Sequence, residues 1–163
     1  MVTNFLNDKF NKNNERNKEN TSHWDYNCGG WALNTFSWYK PTQKDCYCYW
    51  GSFEFPYDFN NLDVMPLKEM YSITKKSVDC MLKEFKDLRV IKTLKELKED
   101  EYAIAFRIGR YINDFHYCKR AKNGHWTHKM GGGLIRPILK RQVFADNWFE
   151  EYYGNLVLFA KKY

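Results

Sequence analysis

Far downstream of Cys28, two histidines, His116 and His128, stand twelve residues apart. These three side chains could do chemistry together. A thiolate is the nucleophile of a cysteine hydrolase, one imidazole takes its proton, and a third polar group aims that imidazole. Cys28 lies in the run Asn27-Cys28-Gly29-Gly30-Trp31-Ala32. At the first turn of a helix it would face unpaired amides and the positive end of the helix dipole, which lowers a thiol pKa. Gly29 and Gly30 would leave space for a substrate backbone, and Asn27 with the Cys28 amide would donate to a developing oxyanion. The plainer reading makes Cys28 a small buried hydrophobe.

Whether the imidazoles share a face depends on the turn at Asn123-Gly124. A two-residue loop pairs Lys119 with His128 and sends the rings to opposite faces. A three-residue loop, Lys122-Asn123-Gly124 with Gly124 left-handed, pairs Cys118 with His128 and makes His116 and His128 same-face diagonal neighbours. The catalytic reading requires the second.

The elements that must position these groups fall into two kinds. Residues 27–39 read as a buried helix stopped by Pro41. Leu67 to Leu88 is the clearest helix, with Met70, Ile73, Ser77, Met81, Phe85 and Leu88 in one apolar stripe and a solvated lysine face. The period then shortens: strands are expected over 89–93, 101–108, 113–120, 125–129, 134–139 and 155–161, with 142–152 ambiguous. Helices followed by an antiparallel sheet make an α+β domain over 23–163. Residues 1–22 read as a flexible polar arm, and 42–61 as an aromatic, turn-rich insertion.

Composition sets outer limits. The chain has 163 residues, 18% of them aromatic, and a formal charge of +6. That charge suits an anionic partner, although the lysines are spread along the chain and serve solubility as well. Five cysteines, at 28, 46, 48, 80 and 118, lack a disulfide-framework spacing, so reduced thiols and a cytoplasmic location are expected, with export by a non-classical route left open. Residues 1–20 carry no apolar signal stretch, and nothing is long enough to cross a bilayer.

The order Cys28, then His116 opening a strand, then His128 on the next strand, resembles the NlpC-type branch of the papain-like cysteine peptidases. The likeness covers Asn27 to Leu33 and roughly Glu101 to Gly131. It implies a papain-like core, a cysteine-bearing helix packed on an antiparallel sheet, and amide-bond hydrolysis of a peptide or protein. Cys28 would be the nucleophile, His116 the base and His128 the orienting member, with no cofactor and no metal. Transfer to an amine or deamidation would use the same groups.

Other residues fit weaker readings. Cys46 and Cys48 with His116 and Cys118 lack the paired spacing of common zinc modules. His125 is expected at the surface, His23 in the arm, Cys80 in the core, and Gly131-Gly132-Gly133 in a flexible bend. Arg107, Arg110, Lys119, Arg120 and Lys129 could rim the cleft. The rival to an enzyme is a non-catalytic binding module, such as a phage-type or bacterial inhibitor, with a basic surface for a protein or nucleic-acid partner.

Overall fold

The structure is a computed structural model and describes residues 25–39, 41, 66–109 and 115–163. The expected arm, the 42–61 insertion, His23, Cys46, Cys48 and Arg110 lie outside them.

Six strands form one antiparallel sheet: β1 (Leu88–Ile91), β2 (Glu101–Ile108), β3 (Phe115–Arg120), β4 (Trp126–Lys129), β5 (Ile135–Ile138) and β6 (Val157–Lys162). Their order across the sheet is β1-β6-β2-β3-β4-β5. β2, near the centre, is buried along its whole length. Tyr102, Ile104, Phe106 and Ile108 enter one core cluster, while Ala103 and Ala105 enter another on the opposite side. A strand covered on both faces needs this near-continuous apolar run.

The helices cover one face. α1 (Cys28–Ala32) packs on β3 and β4, and α2 (Leu67–Glu84) packs on β1 and β2. α2 buries Met70, Ile73, Thr74, Ser77 and Met81, the expected stripe, and stops at Glu84 where Phe85 turns extended. α1 is much shorter than the expected 27–39 helix. Asn34 and Phe36 take left-handed φ values of 58° and 51°, and the Phe36 amide bonds back to the Gly30 carbonyl at 3.1 Å. The chain therefore folds over α1 before reaching Pro41. On the other face lie α3 (Lys140–Val143) and the turn after it, which resolve the ambiguous 142–152 segment.

The β3–β4 hairpin takes the three-residue loop. Cys118 pairs with His128, the Ala121 amide bonds to the His125 carbonyl at 2.9 Å, and Gly124 holds φ at 87°. Only glycine adopts that conformation without strain. The molecule is thus α+β, with a six-stranded antiparallel sheet between two unequal layers. Among the described residues, no helix is long and apolar enough to cross a membrane.

Candidate functional site

His116 and His128 meet. Nε2 of His116 lies 3.1 Å from Nδ1 of His128, one nitrogen donating and the other accepting. Both rings project into the layer formed by the segment after α3. His116 stacks on Tyr152 at 5.1 Å and meets Trp148 edge-on at 6.0 Å, while Phe149 stacks on His128 at 5.0 Å. Burial pushes the His116 pKa down to about 3, with His128 adding to the effect. Burial and then Arg136, its cross-strand neighbour, push His128 down to about 4. The pair is neutral at physiological pH.

Cys28 is on the other side of the sheet. Successive strand residues point to opposite faces, so Tyr117, not His116, faces α1. Cys28 is 5% exposed and belongs to the core cluster that contains Tyr117, Phe115, Met81 and Tyr39. The histidines instead face the layer of Trp148 and Tyr152, which belong to the other cluster. This corrects the expected convergence of Cys28, His116 and His128: the bulged hairpin unites the two rings, but on the face turned away from the thiol.

The residues around Cys28 have structural employment as well. Asn27 caps α1 and ties it to the returning chain. Its Oδ1 accepts from the amides of Gly30 at 3.0 Å and Tyr39 at 3.1 Å, and its Nδ2 donates to the Tyr39 carbonyl at 2.6 Å. It is therefore engaged where an oxyanion donor was expected. A Cβ on Gly30 would stand 1.9 Å from the Ser37 carbonyl oxygen, and one on Gly29 would stand 2.9 Å from the Tyr39 ring. The space the glycines leave is filled by residues 37–39 of this chain rather than by a substrate.

α1 is anchored by its aromatic and by two buried lysines. Trp31 donates from Nε1 to Thr127 Oγ1 at 3.1 Å and stacks on Tyr26. Lys119 lies 4.2 Å over the Trp31 ring and bonds Asn34 Oδ1 at 2.5 Å and the Trp31 carbonyl at 3.3 Å. A donor at a helix C-terminus satisfies its orphan carbonyls. Lys129 lies over Tyr26 and donates to the Gly131 carbonyl at 2.7 Å. Burial lowers Lys119 well below the lysine range and Lys129 to about 8. Arg107 bonds the carbonyls of Ala145, Asp146 and Gly154, fastening the opposite layer. Of the expected basic rim, then, Arg107, Lys119 and Lys129 point into the protein. Arg120 is partly exposed.

The turn that carries Phe149 is strained. Phe149 and Glu150 both hold φ at 57°, and the Glu151 amide bonds the Trp148 carbonyl at 3.1 Å. Two left-handed residues at the centre of a four-residue turn are ordinarily Asn-Gly. For a phenylalanine this costs on the order of 1 kcal/mol or more.

Remaining expectations resolve individually. His125 is exposed, as expected. Gly131 to Gly133 form the turn between β4 and β5. Cys28 and Cys118 are reduced thiols. Cys80 is half-buried on α2 and disulfide-bonded, a departure from the expectation of reduced thiols throughout. Among the described residues, no group of three or more His, Cys, Asp or Glu side chains is arranged to hold a metal.

The feature that sequence reading missed is the distribution of charge. Residues 102–145 hold nine lysines and arginines against the single acid Asp114, a net +8 that leaves the rest of the chain at −2. The expected basic rim named five of these nine cations, and a running charge count would have added the scarcity of acids around them. The three ion pairs among the described residues, Arg89–Glu101, Lys161–Asp87 and Lys162–Asp100, all lie on or beside β1, β2 and β6. The other half, β3 to α3, presents exposed Lys122, Arg136, Lys140 and Arg141. β4 and β5 run antiparallel with Trp126 opposite Ile138, so the hairpin tip, with Lys122, and α3 fall at the same end of the sheet.

No curated protein and no solved structure gives a significant match to this chain. A family model described as a domain of unknown function, DUF7689, matches residues 17–161, and the chain belongs to that family.

Proposed function

We propose that this protein is a non-catalytic binding module whose positively charged sheet half, from β3 to α3, holds an anionic polymer. The observation that carries this reading is the division of charge. The strand cations Arg89, Lys161 and Lys162 stand in ion pairs, whereas the half from β3 to α3 exposes Lys122, Arg136, Lys140 and Arg141 in a stretch with a single acid. Such a patch draws polyanions by long-range attraction and by release of their counterions. In this reading Cys28, Asn27, Gly29 and Gly30 build the α1 docking, and His116 with His128 fills the opposite layer. A papain-like core kept without turnover is compatible with a cysteine-bearing helix on an antiparallel sheet. An amide hydrolase acting through Cys28, His116 and His128 has the opposite-face geometry against it.

Two triple variants of equal charge change test the reading. Arg136→Glu, Lys140→Glu and Arg141→Glu together should sharply lower the salt needed to elute the protein from immobilised heparin. Lys86→Glu, Lys92→Glu and Lys95→Glu, all exposed and outside the patch, should lower it far less. Equal effects would remove the reading. Rapid labelling of Cys28 by an acyl-directed electrophile at neutral pH, lost in His116→Ala, would restore the hydrolase.

A further inference from the structure

Two exposed phenyl rings stand on the charged half of the sheet. Phe144 is 39% exposed and Phe149 is 45% exposed. Phe144 lies edge-on to Trp126 at 6.0 Å, and Phe149 stacks on His128 at 5.0 Å. Trp126 and His128 are two residues apart on β4 and share a face, so the two rings rest on footings roughly 7 Å apart. Arg136 pairs across the sheet from His128, and Lys140 and Arg141 precede Phe144 on α3.

We infer that this pair of rings is a stacking platform and that the anionic polymer is single-stranded nucleic acid. This rests on the proposed polyanion-binding function and deepens it. Single strands offer what duplexes conceal, the flat faces of their bases, and aromatic side chains beside a cationic track take them without regard to sequence. Two features favour this occupant over a polymer that is merely anionic. The cations flank the rings and do not form a separate patch. Phe149 is held outward by a turn that its own conformation disfavours, so its position is maintained at a cost. Asp146, Glu150 and Glu151 border the platform and bound the track on that side.

The test uses the full chain and two probes, a fluorescent twelve-residue oligodeoxythymidylate and heparin, which is anionic but has no bases. The wild-type protein should bind both, and should bind the oligonucleotide more tightly than a duplex of matched length. Phe144→Ala with Phe149→Ala should weaken oligonucleotide binding by roughly tenfold or more for each ring and leave heparin elution unchanged. Phe144→Tyr with Phe149→Tyr should keep the wild-type affinity, which separates stacking from loss of fold. Unchanged oligonucleotide affinity in the alanine variant, or a preference for duplex, overturns the stacking platform while the polyanion function stands. Failure of the wild-type protein to bind either probe overturns both.

Discussion

The 3.1 Å contact between His116 Nε2 and His128 Nδ1 joins two imidazoles on the sheet face that α1 does not touch. Both rings take up protons less readily in the fold than in the unfolded chain, where a histidine titrates near 6.5. The stability they confer is whole above about pH 6.5 and drains as pH falls towards about 4 and then about 3. Near pH 5 unfolding should take up nearly two protons from this pair, a slope of roughly 2 to 3 kcal/mol per pH unit. Denaturant melts at a series of pH values measure it. A double variant, His116→Gln with His128→Gln, should flatten that slope, and an unchanged slope would mean the rings are not buried as a neutral pair.

A second acid phase should follow from Glu101. Its carboxylate accepts from Arg89 at 2.7 and 3.0 Å and from the Lys98 amide at 2.9 Å. These bonds, the Arg89 one foremost, hold its pKa down to about 2. The group is charged in both states above about pH 4.5, and its contribution is lost between there and about 2. Glu101→Gln should remove this lower phase and leave the histidine phase intact in the same melts.

Gly30 and Asn27 should be sensitive for reasons unrelated to catalysis. Gly30→Ala sets a methyl against the Ser37 carbonyl, an overpacking that should cost about 3 kcal/mol. Asn27→Ala loses the cap and both bonds to Tyr39, worth about 2 kcal/mol. Equilibrium unfolding reports both, and polyanion retention by the folded fraction should be unaltered in each.

Cys28 should behave as a core residue. An alkylating reagent should label it slowly in the native protein and readily after denaturation, as expected for a thiol 5% exposed. Cys28→Ala should cost about 1 kcal/mol with binding preserved. Labelling at native pH faster than that of a small free thiol would point to an activated nucleophile.

Much of the frame was legible in the residues. The 101–108 strand follows from strict alternation of large and small apolar side chains, and the α2 stripe from steps of three and four. The bulged hairpin was one of two loops that Asn123-Gly124 allowed, and the pairing of Cys118 with His128 decides between them. The site was not legible, because a period of two says which residues of β3 share a face but not which face the distant α1 covers. Tyr117 faces α1 because its ring fills the space beside Gly29, a contact across nearly ninety residues that no local pattern encodes. The end of α1 was hidden likewise, since left-handed Asn34 and Phe36 are held by the tertiary bonds of Asn27 to Tyr39.

The most direct measurement is the dependence of oligodeoxythymidylate affinity on salt, taken on the full chain with and without reversal of Arg136, Lys140 and Arg141. Four exposed cations on the charged half predict a slope of log K against log salt of about −2 to −3 for a single strand, and loss of most of it in the triple variant. A wild-type slope near zero, or one that the three substitutions leave intact, contradicts the account.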